Sequence, residues 1–105
     1  MNYKYQLVLQ FLASDITDYD QMIALENSLI QECRGLGDVE GHDVGSAEMN
    51  IFIHTDQPVE LTSHVVEHHH SDPLLMNMIA AFREFGLHDY TVVWPRDFHG
   101  VFEVK

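Results

Sequence analysis

A chain of 105 residues, 46% of them hydrophobic, can build one packed core and has no room for a second. Seventeen Asp and Glu against five Lys and Arg give a formal charge of -12. That charge repels phosphate backbones and anionic lipid, so nucleic acid and membrane are excluded as direct partners, and basic proteins and cations remain. The longest apolar runs, such as Ile79 to Phe82, fall far short of the ~20 residues that cross a bilayer. Residues 1–5 lack the charged-then-apolar layout of a signal peptide, and Cys33, the one cysteine, allows no internal disulfide, so the expected location is cytoplasmic.

Along residues 3–12, Tyr3, Tyr5, Leu7, Leu9 and Phe11 alternate with Lys4, Gln6, Val8 and Gln10, the period of a strand with one apolar face. Ser14, Asp15 and Thr17 then offer side-chain oxygens to the free N–H groups of a helix, and Asp18 and Asp20 favour its positive end. Ile16, Tyr19, Met22, Ile23, Leu29, Ile30 and Cys33 follow helical spacing, and Gly35 and Gly37 end that helix. Val39 to Thr55 reads as a hairpin turning at Gly45-Ser46, with Met49, Ile51 and Ile53 on one face and Glu48, Asn50, Phe52 and His54 on the other. Asp56 and Pro58 open a second helix over 59–70. Past Pro73 the stripe of Leu75, Met78, Ile79, Phe82 and Phe85 continues it with a bend. Tyr90 to Trp94 is a last strand closed by Pro95, and Phe98 to Val104 can add a short edge strand.

The order strand, helix, strand, strand, helix, strand is α+β. It resembles the ferredoxin-like βαββαβ fold, a four-stranded antiparallel sheet with two helices on one face, the second bent near Pro73. The segment from Gly41 to Ile53, GHDVGSAEMNIFI, is also similar to a hairpin of small uncharacterised bacterial proteins of that fold. This resemblance implies the fold, with no activity attached.

Two regions could carry chemistry. In the hairpin, His42, Asp43, Ser46, Glu48, Asn50 and His54 offer an imidazole and carboxylates for acid–base work or for a divalent cation. With Gln6 and Gln10 of the first strand, and with Phe52, they form a mixed polar face suited to recognition or dimerisation more than to a dry pocket. Turn and solvent roles for Asp43, Ser46, Glu48 and Asn50 are the plainer alternative. In the second helix, Glu60, His64 and His68 recur every four residues, and two imidazoles so spaced can share one ion. Val65 stands where a zinc protease has Glu, and no third ligand is evident, so adventitious nickel or zinc at His64 and His68 outweighs a resident cofactor. Cys33 lies on the apolar stripe at the helix C-terminus, where a thiolate is disfavoured, and reads as core. Phosphate-loop, dinucleotide, nucleophile-elbow and Cys-x-x-Cys signatures are missing.

The leading reading is a non-enzymatic binding module that engages a protein partner, a basic one included, or itself as a homodimer. It would use the sheet face, an edge strand or the acidic surface, with Phe52, Tyr90, Trp94 and Phe98 as aromatic anchors. Its rivals are an enzyme centred on His42, Asp43, Glu48 and His54, and a metal-binding protein using the histidine-rich helix.

Overall fold

A computed structural model describes residues 3–16, 19–45, 47–69 and 71–104. Thr17 and Asp18 of the expected cap, Ser46 of the hairpin turn and His70 of the histidine run lie outside the described residues.

The first strand, β1 (Tyr5–Leu12), is central, and Leu7, Val8 and Leu9 are all without solvent exposure. After a 3-10 turn at Ala13–Asp15 comes helix α1 (Tyr19–Glu32), which buries Met22, Leu25 and Leu29. Gly35, at φ +82, makes the exit turn that a side chain would strain. The hairpin strands are β2 (Gly37–Val44) and β3 (Glu48–Thr55), and helix α2 (Pro58–His68) starts on its proline as expected.

Beyond Pro73 the expected bent helix does not form. Pro73–Asn77 is a 3-10 turn capped by Asp72, whose Oδ1 accepts from the Leu74 N–H at 3.0 Å. Ile79–Glu84 is then a strand, β4, and Thr91–Trp94 is a fifth strand, β5. The reason lies in burial: Ala80 and Ala81 point to opposite faces and both are fully buried. A strand covered on both sides loses its alternation and reads as a continuous apolar run, the same signal as a buried helical segment. Phe98 to Val104 forms no strand.

The result is an α+β fold with a five-stranded antiparallel sheet in the order β2-β3-β1-β4-β5, one strand more than expected. Both helices cover one face. Leu7, Leu9, Phe11, Met49, Ile51 and Ile53 of the sheet share a single buried cluster with Met22 and Leu29 of α1 and Leu61 and Val65 of α2. No helix among the described residues is long and apolar enough to cross a membrane.

At the start of β2 the backbone packs closely on β3 and α2. A Cβ on Gly37 would lie 2.6 Å from the His54 carbonyl oxygen and 3.0 Å from both Leu61 Cδ1 and Thr55 Cβ. Beside it, buried Thr55 donates to the Leu36 carbonyl at 2.5 Å and accepts from the Gln57 N–H at 2.9 Å. Since the nearest obstacle is backbone, Gly37→Ala is expected to cost about 1–3 kcal/mol as an overpacking change. Urea unfolding of the variant checks this, and an unchanged midpoint would show that β2 can move away from β3.

Candidate functional site

The hairpin face expected to be open is mostly covered. Glu48, Asn50, Phe52 and His54 do share a face of β3, and Gln10 and Gln6 of β1 stand opposite Asn50 and His54 on it. Yet Gln10 is 7% and Asn50 2% exposed, and Val8 and Ala81 of the same face are fully buried. Gln10 identifies the cover. Its Nε2 donates to Asn50 Oδ1 at 3.0 Å and to the backbone carbonyl of Glu103 at 2.9 Å. Phe102 sets its ring edge-on to Tyr90 at 5.1 Å. The C-terminal segment therefore returns across this face as a strap. Of the expected aromatic anchors, Phe52, Tyr90, Trp94 and Phe98 are all half-buried, and Trp94 packs against the helix-side core.

What remains accessible on that face is dispersed. Glu48 and His54 stand at opposite ends of β3, six residues and hence about 20 Å apart. The His54 ring meets Phe85 edge-on at 4.9 Å, and its Nδ1 is 3.9 Å from Glu40 Oε1. Gln6 Oε1 accepts from Arg83 Nε at 3.1 Å.

His42 lies on the other face altogether. The pairing of β2 with β3 slips by one residue between Val39 and Gly41, so that Val39 opposes Ile53 but His42 opposes Ile51. One extra residue in a strand reverses the facing of everything after it. His42 and Val44 are thereby turned towards the helices and Asp43 away from them. There His42 Nδ1 meets Glu26 Oε2 of α1 at 3.0 Å, with the Tyr19 ring edge-on at 6.3 Å. The enzyme constellation of His42, Asp43, Glu48 and His54 is thus not brought together: one member sits behind the sheet and the others are spread along its front.

On α2, the His64 and His68 rings lie 4.1 Å apart and tilted by 44°. His68 Nδ1 donates to the His64 carbonyl oxygen at 3.1 Å. Among the described residues no three His, Cys, Asp or Glu side chains are grouped to hold a metal ion. His69 has a structural partner, with Nε2 at 2.7 and 2.9 Å from the two Glu32 oxygens, tying the end of α2 to the end of α1.

Cys33 is fully buried in the core cluster. Burial first, and Glu32 second, push its thiol from 9.0 up to about 11, far from a nucleophile's value.

A feature that the residue pattern did not disclose lies at the hairpin's turn end. Ala13, Ile16, Tyr19, Met22, Val44 and Met49 line an apolar depression of about 210 Å³ between the start of α1 and the end of β2. Tyr19 is 62% and Val44 57% exposed. The helical spacing contains Tyr19 and Met22, but only the bulge turns Val44 to face them. A second depression of about 200 Å³ separates α2 from β5, with Trp94 and Arg96 among its walls.

No family model, curated protein or solved structure matches the chain.

In the native protein Cys33 is expected to resist alkylation at pH 8 and to react once the chain is unfolded in urea; fast native labelling would contradict its burial. The folded chain also holds the Cys33 proton more tightly than the unfolded one. That contribution is whole below pH 9 and is lost as pH rises through 11. The stability of the wild type relative to Cys33→Ala should accordingly fall by about 2–3 kcal/mol across that window. For the strap, Gln10→Leu leaves Asn50 Oδ1 and the Glu103 carbonyl without their donor, at about 1–3 kcal/mol. Carboxypeptidase should trim the variant's C-terminus faster than the wild type's.

Proposed function

We propose that the chain is a non-enzymatic binding module on a ferredoxin-like scaffold, extended by a fifth edge strand, and that it engages a basic partner protein along the acidic β2 edge. The first four strands support that fold reading: their order β2-β3-β1-β4 and all-antiparallel pairing, with both helices on one face, are what a βαββαβ chain produces.

The observation that carries the functional reading is the separation of charge. β2 is the terminal strand of the sheet and exposes Asp38, Glu40 and Asp43. Most of the described cations stand elsewhere. Lys4 and Arg83 stand at the Asp38 end of the sheet but beside β1 and β4, with Lys4 paired to Glu84 at 3.4 Å, and Arg96 follows β5 on the opposite edge. Arg34 follows α1. Pairing β2 with a second copy would set acids against acids, which disfavours a homodimer through this edge. The other face offers self-association little, because the strap covers it. A basic strand or loop is favoured on both counts.

Light scattering on the untagged protein should give a monomer. A labelled peptide of alternating Lys and Val should bind it, about tenfold more weakly as salt rises from about 50 to about 300 mM, because screening shortens the reach of exposed charges. Asp38→Lys with Asp43→Lys should abolish that binding. Salt-independent binding, or a tight dimer that protects β2 amides from hydrogen exchange, would remove the reading.

A further inference from the structure

Resting on that reading, we propose that the apolar depression at the hairpin end is an anchor site for one large aliphatic or aromatic side chain, presented by a Lys- or Arg-flanked segment of the partner protein. Three observations point there.

The first is size and lining. At about 210 Å³ the depression is smaller than the ~300–1,000 Å³ of small-molecule pockets, and its six walls are Ala13, Ile16, Tyr19, Met22, Val44 and Met49. They bring together no set of polar side chains that would orient a metabolite. One side chain of Leu, Met or Phe size suits such a space.

The second is exposure. Tyr19 and Val44 stand more than half exposed at the mouth, although burying them would stabilise the fold if the chain could do so. Exposed apolar walls around a concave floor are the usual form of a recessed hot spot.

The third is charge. Two walls at the start of α1 have an acid beside them in sequence. Asp15 precedes Ile16 and Asp20 follows Tyr19, while Asp43 and Glu48, next to Val44 and Met49, point to the other face of the sheet. Asp15 accepts from Asn77 Nδ2 at 3.0 Å, so its charge is left without a cation. Lys4 and Arg83 are at the opposite end of the sheet, where Tyr5 pairs with Glu84 and Gln6 with Arg83, and Arg96 is beyond its opposite edge. The α1 side of the rim is therefore negative, and a second copy of this chain would bring an equally negative rim. A cationic segment with an apolar centre is complementary in both respects.

The test uses two labelled peptides, Lys-Arg-Lys-Leu-Lys-Arg-Lys and the same peptide with Ser at its centre, in anisotropy titrations against the full chain. The Leu peptide is expected to bind about tenfold or more tightly than the Ser peptide, with that ratio surviving added salt, since anchor burial is apolar. Tyr19→Ser with Val44→Ser, both exposed positions, should bring the Leu peptide down to the Ser peptide's affinity and leave the Ser peptide unchanged. Circular dichroism verifies that the variant is folded, and Ala13→Leu, which fills the floor, provides an independent version. Equal binding of both peptides would overturn the anchor site while leaving the acidic-edge reading intact. Binding of neither would overturn both. Concentration-dependent dimerisation lost in the Tyr19→Ser variant would assign the depression to a second copy and overturn the proposal.

Discussion

Every layer of the molecule is built on β1, whose Leu7, Val8 and Leu9 are sealed from solvent on both faces. A strand buried in this way must have its backbone paired on both edges and its side chains covered above and below, because unpaired N–H and C=O groups away from water are costly. β3 satisfies one edge and β4 the other. The helices cover the side of Leu7 and Leu9, and the C-terminal strap closes the side of Val8 and Gln10, where the Glu103 carbonyl completes the Gln10–Asn50 pair. Among the described residues no buried side-chain nitrogen or oxygen lacks a hydrogen bond. The demand of β1 for a second neighbour also explains residues 79–84: as a helix, this segment would leave that edge open.

The bulge in β2 is the second constraint, and it determines which chemistry can meet. Without the extra residue at Glu40–Gly41, His42 would share a face with Glu48, Asn50 and His54, and a polar cluster could form in front of the sheet. With it, His42 is committed to Glu26 behind the sheet and Val44 becomes the wall of an apolar depression. One inserted residue thus replaces a candidate acid–base cluster with a candidate contact surface. It also twists the edge that would otherwise template pairing with another chain.

Much of this was legible in the residues. Alternation in β1 and β3, the spacing of Met22, Leu29 and Cys33, and Pro58 at the start of α2 are local signals, and the structure agrees with each. The misread parts depend on distant neighbours. Ala80 and Ala81 look the same whether they are covered by a helix or by a strap. Gln10 and Asn50 were expected in solvent because their cover comes from residues near 103, far along the chain. The facing of His42 turns on a register slip that no periodicity reports, because a strand with one extra residue still alternates on each side of it.

The acids of β2 have a plainer use that must be weighed against binding. Asp38, Glu40 and Asp43 protect an exposed sheet edge from pairing with other chains, which alone could account for their presence. Edge protection does not, however, account for Tyr19 and Val44. A chain selected only to stay apart from others would fill or polarise a depression of about 210 Å³ at the end of that edge. Here Asp15 and Asp20 stand beside the apolar walls at the start of α1, so that aggregation with a like-charged copy is opposed while an oppositely charged segment is attracted. The same residues then serve both purposes, and specificity arises from the combination: charge selects which chains approach, and the apolar floor selects what they must present.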